Sequence, residues 1–297
     1  MDSKNSLVDL TKYYGRMELL GEDCIDLLDR LSTNDVSVLR HPGQGLSSVL
    51  TTNKGRIIDL LGLFLFEDKF LLVSSSDSIR RVSEWIEFYT IMEDVEVKDI
   101  SHTTFHFRSI DNPQLQNTLG LGEANFGETV SEKVGNILCS AMKSQMGGLS
   151  AIDIVGPVDD KEYVLSQLKE KSETISLSEF EELRIKLGVP AYGKELSEDY
   201  NPIEAGLLDH ISFNKGCYIG QEVVARLNAY DKVQRKLVRL TWSGDIDSKE
   251  LTVDGKVIGK ITSAGSGEGL GYVRNAYSEN GQIVQSSKND VTVIPTN

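Results

Sequence analysis

Short runs of alternating or continuous apolar residues, separated by turn residues, fill the first two thirds of the chain. Such runs predict strands, and two runs joined by a few turn residues predict a hairpin. Strands are expected at residues 47–52, 57–66, 70–74, 103–110, 137–142 and 149–155. The first two are joined by Asn-Lys-Gly-Arg, a turn with two cations, and therefore predict a hairpin.

Segments with helical periodicity interrupt these strands. They predict helices at residues 21–31, 77–89 and 159–171 and one ending at Gly188, with Asp23 and Asp77 as N-terminal caps of the first two. Ser-Glu-Phe-Glu at 178–181 has the form of a capping box for the last of them, and Pro190 follows its end. Short helices mixed with hairpins predict an α+β fold with mainly antiparallel sheets.

The pattern changes near residue 231. Short strands are expected at 233–242, 251–253, 256–262 and 271–273, and Asp254-Gly255 is a strong hairpin signal. The sequence therefore predicts two domains, a larger body at residues 1–230 and a small C-terminal β-barrel at residues 231–297.

Composition restricts the partners that the chain can have. With 297 residues, 39% hydrophobic and 26% charged, it is typical of a globular protein. A net charge of −14 argues against a broad nucleic-acid-binding surface, because phosphates need clustered cations. There is no G-x-G-x-x-G or P-loop motif, which disfavours nucleotide binding.

Several further signals point to the cytoplasm. The longest apolar run, residues 60–66, is far too short for a bilayer span, and the first residues lack the apolar core of a signal peptide. The widely spaced Cys24, Cys139 and Cys217 form neither a disulfide framework nor a metal motif. His102 and His106 share a face of a predicted strand, but a metal site is not expected there.

The strongest chemical signal lies at residues 214–226, whose sequence is Asn-Lys-Gly-Cys-Tyr-Ile-Gly-Gln-Glu-Val-Val-Ala-Arg. Lys215 and Cys217 precede the first turn of a predicted helix, and a cation and a helix N-terminus both favour the reactive thiolate. Gln221 and Glu222 lie in that turn, and Glu222 can pair with Arg226. The alternative is an ordinary helix entrance with an inert, packed cysteine.

This segment resembles the signature of YgfZ-type folate-binding proteins, relatives of aminomethyltransferase, the T-protein of the glycine cleavage system. The match covers Lys-Gly-Cys-Tyr-Ile-Gly-Gln-Glu at 215–222, followed by Arg226. Further stretches along the chain are similar to this family. They are Leu-Ser-Thr-Asn-Asp-Val at 31–36, Asn-Lys-Gly-Arg-Ile-Ile-Asp at 53–59, the run from Leu183 to Glu204, and the run from Ile258 to Val273.

The resemblance implies a ring-like body of mainly antiparallel sheets with helices around a folate-sized channel, closed by the β-barrel. It implies tetrahydrofolate or a folate derivative as cofactor. It also implies a role in iron–sulfur cluster assembly or repair, with a link to tRNA modification by a cluster enzyme. The expected partners are a folate-type small molecule and iron–sulfur client or assembly proteins.

Position by position, the resemblance assigns Cys217 and Lys215 as catalytic residues and no metal ligand. The expected cofactor-binding residues are Asp59, Arg184, Tyr192, Gln221, Glu222 and Arg226. Arg184 has a structural alternative, an exposed helix residue paired with Glu181.

Departures from the family pattern bear on the mechanism. Aminomethyltransferases have two adjacent acids where this chain has Asp59 followed by Leu60. Leu149 stands where they have a glutamate that binds the pterin ring, and Ser-Ser-Ser at 74–76 stands where Asn-Ala is usual. An unpaired ligand donor costs about 1–3 kcal/mol. The maturation role through Cys217 is therefore favoured over one-carbon transfer to tetrahydrofolate, and both over a non-catalytic scaffold.

Overall fold

The computed structural model describes residues 4–67, 69–229 and 233–296. The strands are β1 (Ser6–Asp9), β2 (Tyr14–Leu20), β3 (Gln44–Thr51), β4 (Ile57–Leu65), β5 (Phe70–Ser75), β6 (Glu96–Asp99), β7 (Thr104–Ile110), β8 (Thr129–Val134), β9 (Ile137–Met146), β10 (Leu149–Pro157), β11 (Glu173–Ile175), β12 (Arg235–Trp242), β13 (Glu250–Val253), β14 (Lys256–Ala264), β15 (Glu268–Arg274), β16 (Ile283–Ser286) and β17 (Asn289–Pro295). The α-helices are α1 (Cys24–Leu31), α2 (Ile79–Tyr89), α3 (Pro113–Thr118), α4 (Lys161–Lys169), α5 (Leu177–Leu187) and α6 (Gln221–Ala229). The predicted domain boundary between residues 230 and 231 lies outside the described residues.

The first sheet has the strand order β3-β4-β5-β2-β6 and is antiparallel. Its hairpin β3–β4 is the one that the Asn-Lys-Gly-Arg turn predicts. Helices α1 and α2 cover one face, where Leu27, Leu28 and Ile86 join a core with Leu61 and Leu72. This core fixes the orientation of β4, so that the β4 residues on the face opposite Leu61 point into the interior of the body.

The second sheet has the order β11-β1-β7-β10-β9-β8. Only the contact between β1 and β11 is parallel among its described pairs, as expected for a mainly antiparallel body. Phe105 and Phe107 face α3 and α4 on its outer side. Met142 and Val155 on its inner side pack against residues of the first sheet, so the two sheets face each other.

Helix boundaries differ locally from the predictions. Asp23 precedes α1, but its carboxylate accepts from the Asp94 amide and does not cap the helix. Helix α2 follows Ser78, not Asp77. The capping box of α5 is Ser176 with Glu179, two residues earlier than predicted, because Ser176 has the extended backbone that aims its hydroxyl at the Glu179 amide.

The C-terminal strands form a closed barrel in the order β12-β15-β14-β13-β16-β17, as predicted. The hairpin between β13 and β14 has Asp254 at φ 50° and Gly255 at φ 73°, the backbone of a two-residue turn. The barrel packs on the body through Tyr200 and Tyr272, whose rings stack with centroids 3.6 Å apart. The α+β fold class is thus confirmed. No helix in the described ranges is long and apolar enough to cross a membrane.

Candidate functional site

Two adjoining cavities lie inside the body. The larger one, called the central cavity, has a volume of about 580 Å³ and is lined by both sheets, the end of α5 and the barrel. The smaller one, called the side cavity, has a volume of about 270 Å³. Tyr14, Leu60 and Pro190 line both, so the two spaces share a wall. Together they form one interior site that both sheets and the barrel line.

Asp59 lines the side cavity from β4 and is almost fully buried. Its carboxylate accepts hydrogen bonds from the amides of Leu60 and Ser75, each at 2.8 Å, and from the Ser78 hydroxyl. Burial raises the pKa of Asp59 to about 6, although these hydrogen bonds oppose the shift. The same carboxylate therefore anchors the start of α2 and faces a cavity.

Tyr192 lines the same side cavity. Burial, together with repulsion from the Asp59 carboxylate, raises the pKa of the Tyr192 hydroxyl. The structure thus brings together Asp59 and Tyr192, which the sequence assigns to ligand binding from positions more than a hundred residues apart.

Arg184 lies elsewhere, in the contact between α5 and the barrel. Its guanidinium donates to Glu181, Glu195, the Val189 carbonyl and the Ser263 hydroxyl. It is absent from the described lining of either cavity, and its side chain is only 1% exposed. The structural alternative correctly names the Glu181 partner, but it is wrong on exposure, because the barrel covers this residue.

The Lys215 side chain anchors the cysteine loop to the region after α1, a contact that the neighbouring sequence does not predict. Its ammonium donates to the carbonyls of Asp29, Ser32 and Asn34, at 2.5, 3.0 and 2.6 Å, and lies 2.9 Å from the Asp29 carboxylate. An ammonium has three N–H groups, so these carbonyls satisfy all of them. None is left to hydrogen-bond the Cys217 sulfur, and an effect of the Lys215 charge on the thiol stays a prediction.

Cys217 is an exposed, free thiol. Helix α6 begins at Gln221, so the thiol lies in the loop before the helix, as predicted. The loop is fixed on both sides of Cys217, by the Lys215 ammonium and by the Ile219 carbonyl, which accepts from the Thr51 hydroxyl at 2.6 Å. A fixed, exposed thiol can react with a molecule that approaches from outside.

The remaining predicted ligand residues lie on α6. The Gln221 amide donates to the Gly216 carbonyl at 3.4 Å, and Glu222 and Arg226 are exposed. Among the described ion pairs there is none between Glu222 and Arg226. Neither α6 nor Cys217 contributes to the described lining of the cavities. The cysteine segment and the interior site are therefore two separate places on the molecule.

The resemblance places two leucines, Leu60 and Leu149, at positions where it leads us to expect acids. Leu60 lines both cavities with an apolar side chain. Leu149 packs against an apolar cluster that includes Met146 and Phe180. The interior site thus offers the carboxylate of Asp59 but no carboxylate from these two positions.

Sequence reasoning missed a charged row on the inner face of the second sheet. Arg108 and Asp153 line the central cavity and pair with each other, and His106 hydrogen-bonds the same Asp153 carboxylate. The signal was present in the alternation Phe-His-Phe-Arg on β7 and Ile-Asp-Ile on β10, which places polar side chains on one face. His102 is exposed in the turn before β7 while His106 is buried on that strand, so the two do not share the predicted strand face.

Comparisons with known proteins agree on one family. The model of the GCVT N-terminal domain matches residues 2–215. A chloroplastic protein of Arabidopsis thaliana, named only provisionally as a transferase, is 32% identical over 295 residues, which is 94% of this chain and 67% of the relative. The aminomethyltransferase of Thermotoga maritima is 28% identical over 274 residues, covering 87% of this chain and 74% of the relative.

A solved structure has the same fold. The crystal structure of glycine cleavage system aminomethyltransferase T from Bartonella henselae superposes with a TM-score of 0.83, covering 98% of this chain and 84% of that one. Its sequence identity is 20%, so this likeness extends to the fold alone.

Proposed function

Because this chain belongs to the GCVT N-terminal domain family, we propose that it is a folate-binding protein that acts in iron–sulfur cluster assembly or repair through Cys217. The observation that carries this proposal is the position of Cys217: an exposed thiol in a loop that is anchored on both sides and lies apart from the interior site. A thiol placed in this way serves a protein partner better than a small molecule enclosed in the body.

The interior site is suited to tetrahydrofolate or a folate derivative. A volume of about 580 Å³ for the central cavity is within the usual range for small-molecule sites, and the side cavity extends it. Asp59 and Tyr192 supply acceptor and donor groups for a pterin ring at one end. Arg108 and Arg239 line the central cavity, where the glutamyl carboxylates of a folate would find cations.

The proposed partners are iron–sulfur client or assembly proteins, with cluster enzymes of tRNA modification among the clients. Contact would be through a protein surface, since the net charge of −14 disfavours direct RNA binding. We place this function in the cytoplasm, where thiols stay reduced, because the three cysteines do not pair with one another in disulfides. The Arabidopsis relative is named as chloroplastic, so the compartment is part of the proposal.

A second candidate is aminomethyl transfer to tetrahydrofolate, which the names of several relatives favour. Leu60 argues against it, because an apolar side chain lines the cavities where the family pattern has its second acid. A leucine neither accepts a proton nor stabilises positive charge on the transferred one-carbon unit. If neither activity nor folate binding is found, a scaffold role remains.

Complementation tests the proposal. In a host that lacks its own family member, Cys217→Ala is expected to abolish rescue while leaving Tm and tetrahydrofolate binding close to wild type. Lys54→Ala, an exposed change on the β3–β4 hairpin, serves as the control and should rescue. Rescue by Cys217→Ala would remove the thiol from the function. Absence of tetrahydrofolate binding by the wild type, measured by calorimetry, would remove the folate.

A further inference from the structure

A buried charged row crosses the inner face of the second sheet. Arg108 on β7 donates to Asp153 on β10 through Nε at 2.8 Å and Nη2 at 3.0 Å, so the pair is bidentate. His106 Nε2 lies 2.6 Å from the same carboxylate. The side chains are 12%, 4% and 0% exposed for Arg108, Asp153 and His106. Such a row is expensive to bury, which calls for a function.

The charges in this row are fixed. Burial by itself raises the pKa of Asp153, but attraction to Arg108 and the hydrogen bond from His106 outweigh it and hold the pKa well below its usual range. Burial lowers the pKa of His106, although Asp153 opposes the shift. A neutral His106 therefore donates its Nε2 proton to an ionised Asp153, which in turn holds the Arg108 cation.

Some N–H groups of the Arg108 guanidinium have no hydrogen-bond acceptor among the described residues. Of its five N–H groups, two go to Asp153 and one reaches the Tyr14 hydroxyl at 3.3 Å. The other two have no acceptor among the described residues. Asp153 occupies the edge formed by Nε and Nη2, so the second N–H of Nη2 lies on the outer edge that it shares with Nη1. The other free N–H is the one that Nη1 does not donate to Tyr14, and Arg108 lines the central cavity.

A second unsatisfied donor lines the same cavity. The Ser144 hydroxyl on β9 is buried and has no hydrogen-bond partner in the described chain. The strand register places Ser144 opposite Ala151, two residues from Asp153 on the same sheet face. Two independent donors on one cavity wall therefore have no acceptor within the described chain, and a ligand with acceptor oxygens would satisfy both.

We propose that Arg108 is the residue of the central cavity that binds a carboxylate of the ligand, with Asp153 and His106 as its positioning residues. A guanidinium donates in a fixed planar geometry that suits a carboxylate better than a single carbonyl. Tyr14 lies over the guanidinium, with the Arg108 Cζ atom 5.1 Å from its ring centroid, and restrains it further. Under the proposed function, that carboxylate is on the glutamyl tail of a folate.

Two fragments of a folate test carboxylate binding by Arg108 separately from folate binding by the protein. p-Aminobenzoylglutamate carries the carboxylates without the pterin ring, and tetrahydrobiopterin carries the ring without them. The affinity of the full chain for each fragment and for 5-formyltetrahydrofolate is measured by calorimetry. Arg108→Lys is expected to bind the two carboxylate-bearing ligands about 10- to 100-fold more weakly than the wild type does. Its affinity for tetrahydrobiopterin should be that of the wild type.

The positioning role has its own readout. Asp153→Asn increases the positive charge at the site, so simple attraction would strengthen carboxylate binding. Positioning predicts that it weakens binding several-fold while Arg108 is still present. Arg108→Gln alone would leave the Asp153 charge buried and unpaired, so it is not used. The double variant Arg108→Gln/Asp153→Asn removes both charges and serves as the folded protein that lacks the site. It should bind carboxylate-bearing ligands as weakly as Arg108→Lys, or more weakly.

Several outcomes would overturn the proposal. They are equal affinity of wild type and Arg108→Lys for p-aminobenzoylglutamate, no binding of that fragment by the wild type, and tighter binding by Asp153→Asn. If the wild type binds p-aminobenzoylglutamate through Arg108 but not 5-formyltetrahydrofolate, the carboxylate site stands and the folate assignment fails.

Discussion

Arg184 and Glu195 form a buried ion pair at 3.0 Å where α5 meets the barrel. Glu195 also accepts from the hydroxyls of Thr262 and Ser263, each at 2.6 Å. Arg184 donates to Ser263 as well, at 2.8 Å. Each charge is therefore saturated by partners from both parts of the molecule, and the pair joins the body to the barrel.

Arg184→Met is expected to destabilise the protein strongly, because it leaves the Glu195 carboxylate buried without a cation. Loss of one partner of a buried pair costs about 3–5 kcal/mol. Urea unfolding measures this, with Arg80→Met as the matched control, since Arg80 pairs with Glu84 on the exposed surface of α2. Equal losses for the two variants would show that the interface pair is not structural.

Asp59 makes stability depend on pH. Its pKa is about 6 in the folded chain against 3.8 when exposed, so the folded state binds the proton more tightly. The resulting stabilisation is fully present below pH 3.8 and is lost as the pH rises through 6. From pH 4 to 7, the wild type should lose on the order of 2–3 kcal/mol relative to Asp59→Asn. Parallel stability profiles of the two proteins would refute the assignment.

Cys217 should be alkylated much faster than the other cysteines of the native protein. It is exposed, whereas Cys24 and Cys139 are buried and burial raises the pKa of each thiol to about 11. Mass spectrometry after a short iodoacetamide pulse at pH 7.5 measures the order, and denatured protein provides the control in which all three react. Comparable native rates would contradict an exposed reactive thiol.

Lys215→Met should release the cysteine loop. The change removes the donor for three carbonyls and leaves Asp29 without its cation, which we expect to cost about 3 kcal/mol. Hydrogen exchange should rise in residues 214–219 and in the turn after α1. Lys54→Met, an exposed control, should change neither quantity, and unchanged exchange in Lys215→Met would show that the ammonium is not the anchor.

Local signals were sufficient for much of the fold. The Asp254-Gly255 turn, the end of α5 at Gly188 with φ 78°, and the β3–β4 hairpin depend on backbone preferences of a few neighbouring residues. Several strands were not predicted, because they are short or polar on one side and gain their stability from neighbours in the sheet. They are β1, β2, β6, β8, β11, β16 and β17.

Local signals also predicted part of the candidate site, but not all of it. The motif at 214–226 could be recognised from the chain. The aminomethyltransferase-like family that it indicates is confirmed, whereas the YgfZ type stays a prediction. The partners of Lys215 lie more than 180 residues away in sequence, so no spacing rule finds them. The separation of Cys217 from the interior site also depends on how the two sheets and α6 pack.

The sequence by itself therefore determined the α+β class, the barrel and the aminomethyltransferase-like family, because alternation, turn chemistry and motif spacing are local properties. Only the tertiary structure decided which charges meet. Asp59 lines a cavity, Arg184 pairs with Glu195 at the barrel, and Lys215 anchors the cysteine loop. Two N–H groups of Arg108 have no acceptor among the described residues. A buried charge is stable only beside its partners, and strand order and register choose those partners across distant parts of the chain.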